Sequence, residues 1–215
     1  MQKELDNVCD SATGRALTGS WVWDSALVLS EWMATRGLVE FEFQGKVVLE
    51  LGAGTGLPGL TAALLGASRV ILTDVEQLVP CLKKNVEANG LGDRVEVTQL
   101  VWGSDDFPSR LGELGEVGLV LMSDVFFGTT EMAALAKTLK MVCGKETVAW
   151  AASEVRPWTS ECLNVLVSEG FGVIELPSQL SESVSSSSSE TDDTSEVFAV
   201  FLLVPPNQVY EALKE

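Results

Sequence analysis

The chain has 215 residues, somewhat longer than the ~150-residue length prior for a domain, so a single domain with a full core is expected. Its residues are 46% hydrophobic and 21% charged, which excludes wholesale disorder; 31 acidic against 14 basic residues, a formal charge of -17, disfavour nucleic acid as a partner, because phosphates are bound by Lys and Arg. The absence of any histidine excludes His-based triads, imidazole metal sites and the usual pH switch.

The start of the chain, Met1 to Asp6, is polar and lacks the apolar stretch of a signal peptide, and residues 1–12 are expected to be mobile. Leu27, Leu29, Trp32 and Met33 predict a helix over about 23–35. Residues 46–51 form a short β-branched run ended by glycines, and 58–65 continue as a helix with Pro58 in its first turn. A second strand over 69–73 ends at Asp74, and Val79, Leu82 and Val86 mark a helix that stops at Asn89-Gly90. Strands follow over 95–100 and 117–123, then a helix over 131–143 and a strand over 147–152. A helix after Pro157 runs to near Gly170, with last strands over 172–176 and 197–204.

This alternation predicts an α/β, Rossmann-like, doubly wound seven-stranded sheet. It should be mostly parallel, with a C-terminal antiparallel hairpin and helices on both faces. Between the last two strands, 181–196 carries the serine run Ser185 to Ser189 followed by Glu190, Asp192, Asp193 and Glu196. It reads as a disordered acidic insertion, or as a phosphorylatable arm for a basic partner. No segment approaches the ~18 apolar residues of a membrane span. Cys9, Cys81, Cys143 and Cys162 form no C-x-x-C pair, so a reduced, cytoplasmic monomer without metal is expected.

The most specific signal is Glu50-Leu51-Gly52-Ala53-Gly54-Thr55-Gly56, where a strand turns into a helix and glycines let the backbone approach a ligand. A dinucleotide fingerprint would need glycine where Leu57 stands, and the carboxylate of Glu50 would oppose a pyrophosphate. That carboxylate suits a cofactor ending in a cationic amine and a sulfonium, which points to S-adenosyl-L-methionine (SAM), with a nicotinamide dinucleotide as the alternative. Asp74 ends the second strand where its oxygens can accept both ribose hydroxyls, under either cofactor. Trp102, beside Gly103 at the third strand's end, can pack on adenine. Asp124, after the central fourth strand, projects into the same cleft and suits a cationic amine.

With these motifs the chain resembles the class I, seven-β-strand SAM-dependent methyltransferases, and within them the protein-lysine methyltransferases of methyltransferase family 16. The likeness covers about residues 13–204, taken as one methyltransferase domain over 13–215. It rests on Trp21-Val22-Trp23-Asp24-Ser25-Ala26, the glycine turn with Asp74, the Trp102-Gly103 pair, and Asp124-Val125-Phe126-Phe127. The tract around Trp23 is similar to that of members that methylate valosin-containing protein. The resemblance implies that Trp23 lines the SAM pocket, that Gly52, Ala53 and Gly54 contact SAM through backbone, and that Ser123 lies beside it. Asp124 and Phe127 would face the acceptor, with Phe127 standing where many relatives carry Tyr.

Methyl transfer from a sulfonium needs alignment and a dry site rather than an imidazole. An acceptor lysine must be neutral, so Phe126, Phe127 and the tryptophans are expected to lower its pKa by desolvation. Asp124 would raise that pKa but orient the amine, with proton loss to water before attack. The implied partner is a protein carrying the target lysine. Rival readings are a small-molecule methyltransferase and an idle SAM-fold adaptor.

Overall fold

The computed structural model describes residues 18–105, 115–177, 197–206 and 208. The mobile segment expected at 1–12 and the acidic Ser-rich insertion expected at 181–196 lie outside the described residues.

Seven strands, β1 (Val47–Leu51), β2 (Arg69–Asp74), β3 (Val95–Gln99), β4 (Leu119–Ser123), β5 (Val148–Glu154), β6 (Gly172–Leu176) and β7 (Phe198–Val204), form one sheet in the order β3-β2-β1-β4-β5-β7-β6. The first five are parallel, and β7 runs antiparallel to both β5 and β6. The doubly wound sheet with its C-terminal antiparallel hairpin is therefore the one expected. Among the described residues the longer helices are α1 (Asp24–Trp32), α2 (Leu57–Leu64), α3 (Val79–Ala88), α4 (Thr129–Val142) and α5 (Thr159–Ser168).

Buried on both faces, the central strands read as near-continuous apolar runs, and alternate residues feed two separate cores. Val48, Leu119, Leu121 and Trp150 pack with Leu29, Leu60 and Leu82 of α1, α2 and α3. Leu49, Leu51, Val120 and Met122 pack with Leu135, Leu139, Cys162 and Leu166 of α4 and α5.

The first helix differs from its expected form: after Trp32 the chain continues through a π-type segment, Met33–Gly37, and a short turn, Leu38–Glu40. Crowding around Trp32 shapes it. The Trp32 indole meets Trp150 edge to face at 4.8 Å and donates from Nε1 to the Pro177 carbonyl at 3.2 Å. A Cβ on Gly37 would stand 3.3 Å from the Trp32 ring, so a small residue is needed where the helix widens. These contacts anchor the C-terminal end of α1; at its other end Trp23, just before the helix, and Ser25, in its first turn, stand at the sheet's carboxyl edge.

Candidate active site

The sheet's winding reverses at β1, which pairs with β2 on one side and β4 on the other, and ligands of open α/β sheets bind at such a switch point. There a cavity of about 560 Å³ opens at the carboxyl ends of the strands, within the size range of a small-molecule site. Trp23, Gly52, Ala53, Gly54, Asp74, Trp102, Ser123, Asp124 and Phe127, nine of the ten residues singled out from the sequence, line it.

The glycine turn is required by conformation and by contact. Gly54 has φ +55, and a Cβ there would lie 2.7 Å from the Gly19 carbonyl oxygen, so the segment carrying Trp21 and Trp23 folds directly over the turn. A Cβ on Gly52, at φ +65, would lie 2.9 Å from the Trp102 ring. The Ala53 N–H donates to the Thr73 carbonyl at 2.9 Å, which ties the turn to β2. Asp74 holds the turn from below: its Oδ2 accepts from Gly54 N–H and its Oδ1 from Val75 N–H, both at 2.7 Å. Burial pushes the Asp74 carboxyl above its ordinary range, and the two N–H donors pull it back. Each oxygen keeps a second lone pair, so the carboxylate can still accept a diol.

Trp102 is fixed through its neighbour, since Gly103 N–H donates to Thr138 Oγ1 of α4 at 2.9 Å. Its ring stacks on Phe127, with centroids 5.9 Å apart and planes 25° off parallel. Phe127, expected to face the acceptor as an apolar wall, lines the cavity with its ring against Trp102 and is 56% exposed. Phe126, expected to desolvate an acceptor amine, is fully buried against Phe201 in the α4–α5 core and lines no part of the cavity.

Glu50 is the residue whose expected role the structure corrects. Alternation along β1 turns it, like Val48, towards α2, away from the cavity, and it is fully buried. Its Oε2 accepts from Gly59 N–H at 2.9 Å, while Oε1 has no hydrogen-bond partner among the described residues. Burial raises its carboxyl to about 8; the Gly59 N–H works against that rise and the Asp74 charge adds to it. Fully buried and outside the cavity lining, Glu50 supports the turn into α2 and does not face a cationic cofactor end.

The opposite end of the cavity joins the expected Asp124 and Trp23 to a residue the sequence did not single out, Arg156. Asp124, the one non-glycine residue at positive φ (+53) among those described, follows β4 with its N–H on the Ala152 carbonyl at 2.9 Å. Arg156 Nη1 donates to its Oδ1 at 2.8 Å and Nη2 approaches Oδ2 at 3.4 Å, while Ser25 Oγ donates to Oδ1 at 3.4 Å. Arg156 also pairs with Glu154 at 2.6 Å, and its guanidinium carbon lies 5.9 Å and 6.0 Å from the Trp23 and Trp158 ring centroids. Trp23 is held by its own Nε1–H, which donates to the Thr18 carbonyl at 3.0 Å. A readable signal existed: Glu154-Val155-Arg156 leaves β5 on the same sheet edge as Asp124.

The chain matches the family described as "Lysine methyltransferase" over residues 6–164. It is 37% identical to EEF1A lysine methyltransferase 3 of Mus musculus over 138 residues, 63% of this chain and 55% of that protein. It is 34% identical to Protein N-lysine methyltransferase METTL21A of Danio rerio over 160 residues, 72% of this chain and 69% of that protein. The chain thus spans 55% and 69% of the length of these two relatives. Among solved structures, a SAM dependent methyltransferase from Aquifex aeolicus superposes with a TM-score of 0.59 at 19% identity, covering 84% of this chain and 93% of that one. The ribosomal protein L11 methylase from Lactobacillus delbrueckii subsp. bulgaricus gives a TM-score of 0.57 at 13% identity, covering 86% and 80%. At these identities the structural likeness establishes the fold.

Proposed function

Because the chain belongs to the lysine methyltransferase family, we propose that it transfers methyl groups from SAM to the side-chain amine of a lysine in a protein substrate. The observation that carries the reading is a single cavity with two chemically distinct ends. One end offers the Asp74 carboxylate, the left-handed glycine turn and the ring of Trp102, a donor and acceptor set that fits a ribose diol and an adenine plane. The other lines the cavity with Asp124 and the indole of Trp23, both in contact with Arg156, a set that fits an amine.

When bound, SAM supplies an electrophilic methyl group on a sulfonium. The protein's own share is to hold, orient and dry the reactants. Asp74 would anchor the ribose, Gly52, Ala53 and Gly54 would bring backbone against the cofactor, and Trp102 with Phe127 would cover its flat ring. Trp23 and Ser123 would line its middle. Asp124 would accept an N–H of the incoming amine and orient its lone pair, and bulk water would take the proton. We further propose a cytoplasmic, monomeric enzyme with one domain over 13–215; the charge of -17 supports a basic protein surface as acceptor over nucleic acid or an anionic membrane.

The test is to incubate the purified chain with methyl-labelled SAM and cell extract, alongside Asp124→Ala, and to read label in protein and small-molecule fractions. Label in a protein band, lost in the variant and mapped to lysine, is the expected result. EEF1A, named in the mouse relative, is the first purified acceptor to try. Label confined to small molecules would replace the reading with a metabolite methyltransferase, and SAM binding without any label with an adaptor.

A further inference from the structure

At the acceptor end of the cavity, Arg156 is the one cationic side chain among the described residues that line it, against the carboxylates of Asp74, Asp124 and Glu131. Its guanidinium side chain is 17% exposed, and that of Asp124 only 10%. Burial opposes its charge, but Asp124 and then Glu154 outweigh that and raise its pKa further, so it stays protonated throughout the working range. Two carboxylates and one guanidinium thus share this corner, with Trp23 and Trp158 on the guanidinium.

A carboxylate that must receive a lysine faces a conflict. It attracts the ammonium form, yet only the neutral amine, about one in a thousand at pH 7 for an ordinary lysine, has the lone pair needed for attack. An unpaired Asp124 next to Glu154 would stabilise the ammonium and suppress reaction. Resting on the proposed methylation, we infer that Arg156 is a positioning residue that clamps the Asp124 carboxylate in place and offsets its charge, so that the acceptor amine reaches the cavity in its neutral form. The lysine ammonium gives one proton to water to become the neutral amine, its nitrogen then forms the new N–C bond as the C–S bond breaks, the electron pair of that bond stays on sulfur, and the product is a methylated ammonium. Arg156 bridges both carboxylates, at 2.8 Å and 2.6 Å, so the trio keeps one net negative charge, which can accept the methylated ammonium product. The groups that set the amine's pKa are Asp124 after β4, Glu154 at the end of β5 with Arg156 just beyond it, Glu131 on α4 and Asp74 at the end of β2.

The test uses the full chain and, as acceptor, the protein that takes label in the wild-type reaction with extract, purified and held at saturation with SAM. Under those conditions the pH dependence of kcat reports groups in the bound complex. For Arg156→Gln the rate near pH 7 should fall at least about tenfold and the pH of half-maximal rate should rise by about one unit. Arg156→Lys, which keeps a positive charge, should return the midpoint towards wild type. Glu154→Gln should move it the other way, to lower pH. SAM affinity should stay near wild type in each variant, and thermal unfolding, which Arg156→Gln should lower by unpairing two carboxylates, shows whether each variant is still folded at the assay temperature. A glutamine variant whose profile superimposes on wild type after scaling, or whose rate falls only in step with SAM affinity, overturns the inference. Should Arg156→Gln not fold, an unmoved midpoint in Glu154→Gln overturns it as well. No labelled protein with the wild-type chain would remove the functional reading, and this inference with it.

Discussion

A Cβ on Gly54 would stand 2.7 Å from the carbonyl oxygen of Gly19, so the segment that carries Trp21 and Trp23 rests on the bare Cα of the glycine turn. The two motifs are 35 residues apart and interlock through backbone alone.

Gly54→Ala should therefore lose stability twice, through its left-handed φ and through this contact, by about 1–3 kcal/mol or more, and weaken SAM binding. Gly90→Ala is the control: its φ is +66, but nothing lies within 4 Å of its Cβ. Urea unfolding of both variants separates strain from contact. Equal losses would show that the Gly19 contact carries no weight.

Asp74→Asn places an amide NH2 where the carboxylate now accepts N–H groups from both Gly54 and Val75. One donor must then meet another, at about 1–3 kcal/mol in stability. SAM affinity, read by titration calorimetry, should fall about 10-fold or more because an acceptor is also lost. Retained affinity would exclude Asp74 as the ribose anchor.

Trp102→Ala removes both the stack on Phe127 and the surface beneath Gly52. SAM binding should weaken by about tenfold, with Trp102→Phe between the alanine variant and wild type. Unchanged affinity in the alanine variant would remove Trp102 from the cofactor site.

Glu50 gives a pH dependence whose sign can be worked out. Its carboxyl is raised from an ordinary 4.5 to about 8 in the folded chain, so between those values the folded state keeps a proton that the unfolded state has released. That stability is fully present below about 4.5 and is lost as pH rises to about 8, at up to about 1.4 kcal/mol per pH unit. Glu50→Gln cannot ionise and keeps an oxygen for Gly59. Its unfolding temperature should fall less between pH 6 and 9 than that of the wild type. Parallel curves would mean that Glu50 is ionised in the fold.

Much of this was legible in the sequence, because strand-helix alternation and glycine turns are local signals. The run from Val47 to Leu51 and its turn into Leu57–Leu64 needed only β-branched residues, glycines and a proline. Asp74, Trp102 and Asp124 were found because each ends a strand on the sheet's carboxyl edge. Glu50 was misplaced because its charge was read without its parity: with Val48 facing α2, a residue two positions on faces α2 as well. Phe126 and Phe127 were read together, yet one belongs to the core and the other to the cavity. Arg156 carried only its place after β5 as a signal, since its meaning arises once β4 and β5 lie side by side and bring Asp124 to it.

The last strand lies inside the sheet, between β5 and β6, and its pairing of Phe198 with Glu154 and of the Val197 carbonyl with Val155 N–H secures the segment that bears Arg156. The acceptor half of the cavity therefore depends on the last strand of the chain, and a substitution in β7 can disturb Arg156 without touching the cavity.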